Sequence, residues 1–172
     1  SSTGGDIHLQ RYSAAGAALG SSTLVNTTTT SSQSFADVAV DGDTGNIAVV
    51  WESTGQDGDG TGLYARLLDS SGTPISAETQ VNQNTVGNQE NAKVAFAPDG
   101  GFVVAWDTGT DMSVRAFDAN GAAVSAEIPV NTATTGFQCT GDVSVDSDGR
   151  FVVTWASDGG SGTYTIAAQL FT

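Results

Sequence analysis

Carboxylate side chains at alternate positions in two short turns are the residues of this sequence best placed for chemistry. The stretch DGDTGN contains Asp41, Asp43 and Asn46, and the stretch DSDG contains Asp146 and Asp148. Oxygen atoms at this spacing can converge on one hard cation such as Ca²⁺. The alternative is a hairpin turn whose Asp side chains accept hydrogen bonds from nearby backbone N–H groups. We expect calcium, if it is a cofactor of this protein, to bind at these two turns.

Residues for nucleophilic or metal-assisted catalysis are sparse. The chain has one histidine, His8, and one cysteine, Cys139, and it contains neither a GxSxG nor an HExxH pattern. A pair of carboxylates, as used by glycoside hydrolases, is the remaining route to catalysis, and it would require two acids in one cleft. The sequence therefore predicts a protein that is not an enzyme, with a glycan-active enzyme as a third hypothesis.

The charge of the chain excludes several classes of partner. Nineteen acids against five bases give a formal net charge of -14, which would repel the phosphates of nucleic acid. No run of about 18 apolar residues is present, so we expect no membrane insertion. The abundance of Gly, Ser, Thr and Asn beside a single lysine favours an extracellular setting.

Three similar strands, each ending in tryptophan, recur about fifty residues apart: NIAVVWES, FVVAWDTG and FVVTWASD. A valine that begins another strand precedes each of them, a glutamine stands five residues before that valine, and a VN pair ends seven residues before the glutamine. The equivalent positions are Trp51, Trp106 and Trp155; Val38, Val94 and Val143; Gln33, Gln89 and Gln138; and Asn26, Asn82 and Asn131.

Each repeat is predicted to form four short antiparallel strands, A to D, because runs rich in Val, Ile and Phe alternate with Asp/Gly turns. Strand A begins at the valine, B ends at the tryptophan, C contains the YAR motif and D ends in VN. No stretch has helical periodicity, so the chain is expected to be all-β, with thirteen strands. As a single repeat domain it divides into a partial unit 1–32, full units 33–88 and 89–137, and a partial unit 138–172.

The repeated residues have structural explanations that compete with functional ones. The tryptophans could stack on sugars, but packing between units is favoured because each ends a buried-type run. Arg66 and Arg115 occupy one equivalent position and are expected to pair with an acid of the same or the next unit. The repeated Gln and Asn side chains are expected to satisfy backbone groups where units join.

The pattern VN…T…Q…VA…DG.FVV.W.S…DG.G.YAR.FD..G resembles a repeat of large secreted bacterial proteins, which are adhesin-like and often carry calcium-binding glycine-rich repeats. The resemblance covers nearly the whole chain and implies β-propeller-like blades and an extracellular or cell-surface location. It implies no catalytic residues. The alternative fold is a β-trefoil, which also uses three four-stranded repeats.

Two functions from different classes follow from this pattern. The first is an extracellular structural or adhesive protein that assembles with other copies of itself through its incomplete terminal units, into filaments. An unpaired strand edge is a template for another chain, and the final strand TIAAQLFT has neither charge nor proline to prevent pairing. The alternative is a lectin-like propeller or trefoil that binds surface glycans, with or without calcium.

Overall fold

The computed structural model describes residues 4–172, except the side chain of Thr140, and contains thirteen strands. Residues 1–3 of the predicted first unit lie outside the described residues. No helix is present between residues 4 and 172, so no helix there could cross a membrane. The strands are β1 (His8–Tyr12), β2 (Ala18–Leu24), β3 (Gln33–Val40), β4 (Ile47–Thr54), β5 (Thr61–Leu68), β6 (Thr79–Gln80), β7 (Glu90–Phe96), β8 (Phe102–Asp107), β9 (Met112–Phe117), β10 (Ile128–Pro129), β11 (Gln138–Val145), β12 (Phe151–Ser157) and β13 (Thr165–Phe171).

The strands form four antiparallel sheets in chain order, which confirms the all-β prediction of tandem four-stranded units. The first sheet is β1-β2, the second β3-β4-β5-β6, the third β7-β8-β9-β10 and the fourth β11-β12-β13. Strand A of each unit begins four or five residues earlier than its valine, at Gln33, Glu90 and Gln138. The difference arises because a β-bulge, at which the pairing register shifts, separates the glutamine region from the valine.

The hairpins between strands A and B depend on glycine. Gly45, Gly100 and Gly149 end the three A–B turns with φ of 74°, 82° and 81°. An L-residue with a side chain seldom adopts such angles, whereas glycine does so without steric penalty. The Asp/Gly turns in the sequence therefore bring each strand B back beside strand A in the register that buries its Val and Trp side chains.

The sheets stack face to face, and each of three apolar clusters fills the space between two neighbours. Ile7 and Val25 of the first sheet pack on Trp51 of the second. Val50 and Leu63 of the second sheet pack with residues of the third, including Trp106, and residues of the third pack with Trp155 of the fourth. Strands β3, β7 and β11 contact one another in succession, so strand A of each unit lies innermost. Separate stacked sheets match propeller blades rather than a trefoil.

The identical spacing of Asn and Gln in the three repeats is explained by side-chain contacts that recur in successive units. Asn26, Asn82 and Asn131 each accept a backbone N–H of their own unit at 2.7–2.8 Å. Each of the three glutamines donates its amide to the carbonyl three residues earlier. The asparagine amides also donate to the carbonyl two residues later, so both sets satisfy backbone groups in the segments that connect one sheet to the next.

The tryptophans are buried between sheets, but their indole N–H groups differ. Trp51 and Trp155 each donate to a glutamine Oε1 at 3.0 Å, from Gln33 and Gln138. In the third sheet Gln89 instead accepts from the Asn82 amide. The Trp106 Nε1 is therefore left buried without a hydrogen-bond partner among the described residues.

The arginines do not pair with acids as expected, and this prediction is wrong. Arg66 Nη1 donates to the Val25 carbonyl at 2.7 Å, and Arg115 Nη1 donates to the Val81 carbonyl at 2.8 Å. Each acceptor belongs to the preceding sheet, at the valine of its VN pair. A guanidinium can bind a carbonyl as well as a carboxylate, and here the carbonyl at the neighbouring strand end is the group within reach.

Candidate functional site

The bulges in strand A place two residues in an unusual backbone conformation. Phe35 has φ 48° and Asn91 has φ 56°, and both stand two residues after the repeated glutamine. Left-handed angles are strained for a bulky residue such as phenylalanine. Phe35 is nevertheless 74% exposed, so its ring does not repay the strain by packing into the core. Strain of this kind is concentrated at functional sites, which makes the bulge a candidate site.

A buried carboxylate lies beside this bulge. Glu52 directly follows Trp51 at the end of β4 and is only 6% exposed. Its Oε1 accepts the Asn91 N–H from the third sheet at 2.9 Å, and this is its only hydrogen bond among the described residues. Together Phe35, Glu52, Glu90 and Asn91 line a cavity of about 150 Å³, which we call the bulge pocket.

Two further acids lie at or next to the bulge pocket. Asp107 follows Trp106 as Glu52 follows Trp51, and its Oδ2 accepts the Asn91 side-chain amide at 2.7 Å. Glu90 lines the pocket and accepts the Asn88 amide at 2.9 Å. Ala156 stands at the equivalent position of the fourth sheet, so the carboxylate of this position is confined to the second and third sheets.

The environment of Glu52 favours its protonated form. Burial raises the pKa of the Glu52 carboxyl, and the negative charges of Glu90 and Asp107 raise it further, although the Asn91 N–H acts in the opposite direction. A carboxyl group of this kind can donate a hydrogen bond or a proton as well as accept one. The bulge pocket thus combines an exposed aromatic ring, an adaptable carboxyl group and two neighbouring acids.

Three of the acids predicted to bind calcium line the same cavity but do not converge on one point. Asp41, Asp43 and Asp146 line one cavity of about 470 Å³, at the turns between strands A and B. Asp148 lines a neighbouring cavity of about 340 Å³, and Asn46 lines neither. Within residues 4–172 no group of three or more His, Cys, Asp or Glu residues is close enough to hold a metal ion.

The predicted calcium-binding carboxylates are engaged by their own turns. Asp41 accepts the Thr44 hydroxyl and the Asp43 N–H, and these hydrogen bonds lower its pKa. Asp146 accepts the Asp148 N–H and the guanidinium of Arg150; although desolvation opposes them, these contacts hold its pKa below the usual value. This is the turn-capping arrangement that the sequence offered as the alternative.

Sequence reasoning missed the bulge pocket. The signal was the five-residue spacing between the repeated glutamine and valine, for example between Gln89 and Val94. An odd spacing puts two residues on opposite faces of a regular strand, yet both of these side chains are buried in the structure. One extra residue in the strand reconciles the two facts, and that residue lies in the bulge.

Solved structures with a similar arrangement of sheets include a protein described as a propeller. No family model and no curated protein matches the chain. The structure is similar to the Dos1 propeller, at 14% identity and TM-score 0.50 over 87% of this chain and 37% of that one. The fold is β-propeller-like.

Two enzymes share the arrangement. An endo-arabinase from Bacteroides thetaiotaomicron matches at 12% identity and TM-score 0.51, over 87% of this chain and 61% of that one. An N-acetylgalactosamine deacetylase from F. plautii, in complex with blood group B trisaccharide, matches at 10% identity and TM-score 0.52, over 81% and 49%. This chain thus spans less than two thirds of each of the three proteins. The expectation of a non-enzyme is corrected, because enzymes are built on similar folds.

Proposed function

We propose that the chain recognises carbohydrate at the bulge pocket between its second and third sheets. The observation that carries the proposal is the strained, exposed ring of Phe35 beside the buried Glu52 carboxyl group. A sugar presents an apolar C–H face and a rim of hydroxyl groups. The Phe35 ring suits the former, and the carboxyl and amide groups of the pocket suit the latter.

The size of the pocket sets the expected ligand. A volume of about 150 Å³ is below the roughly 300–1,000 Å³ of pockets for drug-sized molecules, which favours a single sugar ring or the end of a glycan chain. The net charge of -14 favours a neutral glycan over a sulfated or sialylated one. The carbohydrate-related names of two proteins with similar folds, an arabinase and a deacetylase, support the same class of ligand.

The test is a glycan-array screen, followed by titration calorimetry with the best ligand. Phe35→Ala and Glu52→Ala should each weaken binding at least tenfold, since both remove a contact to the sugar. Phe137→Ala is the matched control, because it removes a phenyl ring that is 54% exposed but does not line the pocket. Equal binding by Phe35→Ala and Phe137→Ala would refute the assignment of the site.

Hydrolysis of the bound glycan is a second candidate function at this pocket, favoured by the raised pKa of Glu52 next to Glu90. The protonated Glu52 would donate its proton to the glycosidic oxygen as that bond breaks. Glu90 would take a proton from the water that attacks the anomeric carbon. Release of nitrophenol from aryl glycosides would be abolished by Glu90→Gln, while Asp99→Asn, which changes an acid that does not line the pocket, should retain activity. No turnover of any glycoside that binds would refute catalysis.

Self-assembly at the cell surface is a separate candidate, favoured by the exposed edge of the fourth sheet. Strand β13 is the last strand of that sheet, and its Ile166 and Leu170 side chains are exposed. We place the protein outside a bacterial cell on the basis of its composition and repeat pattern. Light scattering and electron microscopy across a concentration series should reveal polymers; a protein that stays monomeric at high concentration would refute assembly.

Calcium binding at the A–B turns is proposed as an accessory property. Binding at ten times its dissociation constant would stabilise the fold by about 1.4 kcal/mol and raise the melting temperature by about 3–6 °C. Asp43→Asn is the variant to compare, because the Asp43 carboxylate lines the cavity without capping the turn. A melting temperature unchanged between millimolar calcium and EDTA would refute the proposal.

A further inference from the structure

The bulge pocket lies at the second of the three junctions between successive sheets, and carboxylates gather there without a cation. Glu52 lies in β4, Glu90 in β7 and Asp107 at the end of β8. Glu52 and Asp107 are 6% and 3% exposed, and Glu90 is half-buried. Within residues 4–172 none of the three forms an ion pair, and neither a lysine nor an arginine lines the pocket.

The hydrogen-bond donors to the two buried carboxylates are all neutral. Glu52 Oε1 accepts the Asn91 N–H at 2.9 Å. Asp107 accepts the Asn91 side-chain amide at 2.7 Å and the Gly109 N–H at 3.3 Å. Such donors fill part of the hydrogen-bonding capacity of a carboxylate, but they do not neutralise its charge. Because buried carboxylates in proteins are normally paired with a cation, this junction is short of positive charge.

Glu52 has an oxygen available to a ligand. Its Oε2 has no hydrogen-bond partner among the described residues, where Glu52 forms a single hydrogen bond through Oε1. In the same part of the chain, Trp106 Nε1 is the one fully enclosed side-chain N or O atom that lacks a partner. Glu52 Oε2 is therefore not fully enclosed, and it is accessible from the pocket that Glu52 lines.

Repulsion between the carboxylates favours the entry of a cation. Burial raises the pKa of the Glu52 carboxyl, and the negative charges of Glu90 and Asp107 raise it further. A positive charge beside Glu52 acts in the opposite direction, because it stabilises the ionised carboxylate. A cationic ligand would thus relieve a repulsion that the groups of the chain leave in place.

The geometry favours an ammonium group over a metal ion. Within the described residues no group of three or more His, Cys, Asp or Glu is close enough to hold a metal. An ammonium group binds through separate N–H···O hydrogen bonds of about 2.7–2.9 Å, so it does not require three carboxylates to converge. The Phe35 ring, which lines the pocket and is 74% exposed, also offers an aromatic face that attracts cations and apolar C–H groups.

We propose that the bulge pocket binds a terminal amino sugar whose amine is free and positively charged. The C–H face of the sugar would lie on the Phe35 ring, and the ammonium group would donate to Glu52 Oε2 and to Glu90. The inference rests on the proposed carbohydrate function and specifies its ligand. The net charge of the chain disfavours anionic sugars, and the carboxylates at this junction favour a cationic sugar over a neutral one.

Titration calorimetry with matched sugars tests the proposal. The probes are glucosamine and galactosamine, each compared with its N-acetyl derivative and with glucose or galactose. N-acetylation is the informative control, because it retains the ring and removes the charge. A pH of about 6 is above the ordinary pKa of a glutamate and below that of an amine. We expect at least one hexosamine to bind about tenfold more tightly than its N-acetyl derivative and its parent sugar.

Variants that remove charge and retain shape assign this preference to the pocket. Glu52→Gln should reduce the preference for the hexosamine to about threefold or less, since a charge-assisted hydrogen bond becomes a neutral one. Glu90→Gln, at a half-buried position where the fold depends less on the side chain, should reduce it in the same direction. Asp99→Asn is the matched control, because Asp99 is an exposed acid outside the pocket, and it should keep the full preference.

The outcomes separate this inference from the proposed function. Equal binding of a hexosamine and its N-acetyl derivative, or a preference that both glutamine variants retain, would overturn the inference and leave carbohydrate recognition standing. Binding of ethanolamine as tight as that of the hexosamine would overturn it in favour of a site that recognises an amine alone. Failure of the wild-type protein to bind any sugar would overturn both the inference and the proposed function.

Discussion

Replacing Gln169 with arginine should stabilise the protein. The structure places Gln169 where Arg66 and Arg115 stand in the two preceding sheets, beside a cavity bounded by Val130. An arginine there can reach the Val130 carbonyl, as Arg115 reaches the Val81 carbonyl at 2.8 Å. The change restores at the third junction a contact that the other two junctions already have.

The expected magnitude follows from three contributions. A hydrogen bond that involves a charged group contributes about 1.5–3 kcal/mol, and ordering a long side chain costs about 1.5–2 kcal/mol. The guanidinium can also lie over Phe171, as that of Arg115 lies 5.6 Å from the centre of the Phe117 ring, which adds about 0.5–1 kcal/mol. The free energy of unfolding should therefore rise by about 1 kcal/mol, and the melting temperature by about 2–4 °C.

Calorimetry and urea titration can measure this change. Gln10→Arg is the matched control, because Gln10 occupies the equivalent position in the first sheet, where the described residues include no preceding sheet with a carbonyl to bind. It should leave the melting temperature within about 1 °C of the wild type. A Gln169→Arg variant no more stable than Gln10→Arg would refute the reasoning that an unfilled arginine position weakens the third junction.

Three further predictions concern strain, titration and buried hydrogen bonds. Phe35→Gly should raise the free energy of unfolding by about 0.5–1 kcal/mol while abolishing carbohydrate binding, because glycine tolerates the positive φ and the exposed ring is lost; a destabilised variant in a urea titration would contradict this. In the folded protein the pKa of Glu52 is raised above its ordinary value of 4.5, so the unfolded chain loses this proton at a lower pH than the folded protein does. The free energy of unfolding therefore falls as the pH rises from the pKa of Glu52 in the unfolded chain to its pKa in the folded protein. Glu52→Gln should therefore be more stable than wild type at about pH 7 and not at about pH 3 in thermal melts; a pH-independent difference would contradict it. Trp51→Phe should cost about 1 kcal/mol more than Trp106→Phe, because the Trp51 indole donates a hydrogen bond to Gln33 and the Trp106 indole has no partner among the described residues; equal costs in calorimetry would show that this bond contributes nothing.

The repeated strands could be predicted because their signals are local. The alternation of apolar residues and the Asp/Gly turns determine where strands β4, β8 and β12 lie, and the three tryptophans align the units. The bulges shifted the predicted start of strand A, because a bulge changes which face a side chain occupies without changing residue composition. The partners of Arg66 and Arg115 were predicted wrongly because the carbonyls they bind, those of Val25 and Val81, come within reach only when the sheets stack.

The candidate site was hidden for a related reason. Glu52 and Asn91 are separated by 39 residues and meet only because the second and third sheets pack together. In the sequence, Glu52 is one of nineteen acids, and its place after the repeated tryptophan, which Asp107 shares, does not by itself indicate that it is buried beside another sheet. The Asp41 and Asp146 turns are compact patterns in the sequence, yet their carboxylates are engaged by groups of their own turns, namely backbone N–H groups, the Thr44 hydroxyl and the Arg150 guanidinium. Compact motifs are the easiest to recognise in a sequence, whereas a site built between two sheets can be recognised only when it is known which sheets stack together.

The stacking of sheets in chain order also determines how the molecule should come apart. Each apolar cluster joins only two adjacent sheets, so the stability of any sheet depends on its own pairing and on its immediate neighbours. Among the described residues, the second and third sheets have a neighbour on both faces, while the first and the fourth have one each, and the residues of β13 are largely exposed. Amide hydrogens of β12 and β13 should consequently exchange with solvent through partial openings that leave β4 and β8 protected, and fraying should advance from the fourth sheet inward. Because Trp51, Trp106 and Trp155 lie in different sheets, variants that retain one tryptophan each would report this order by fluorescence.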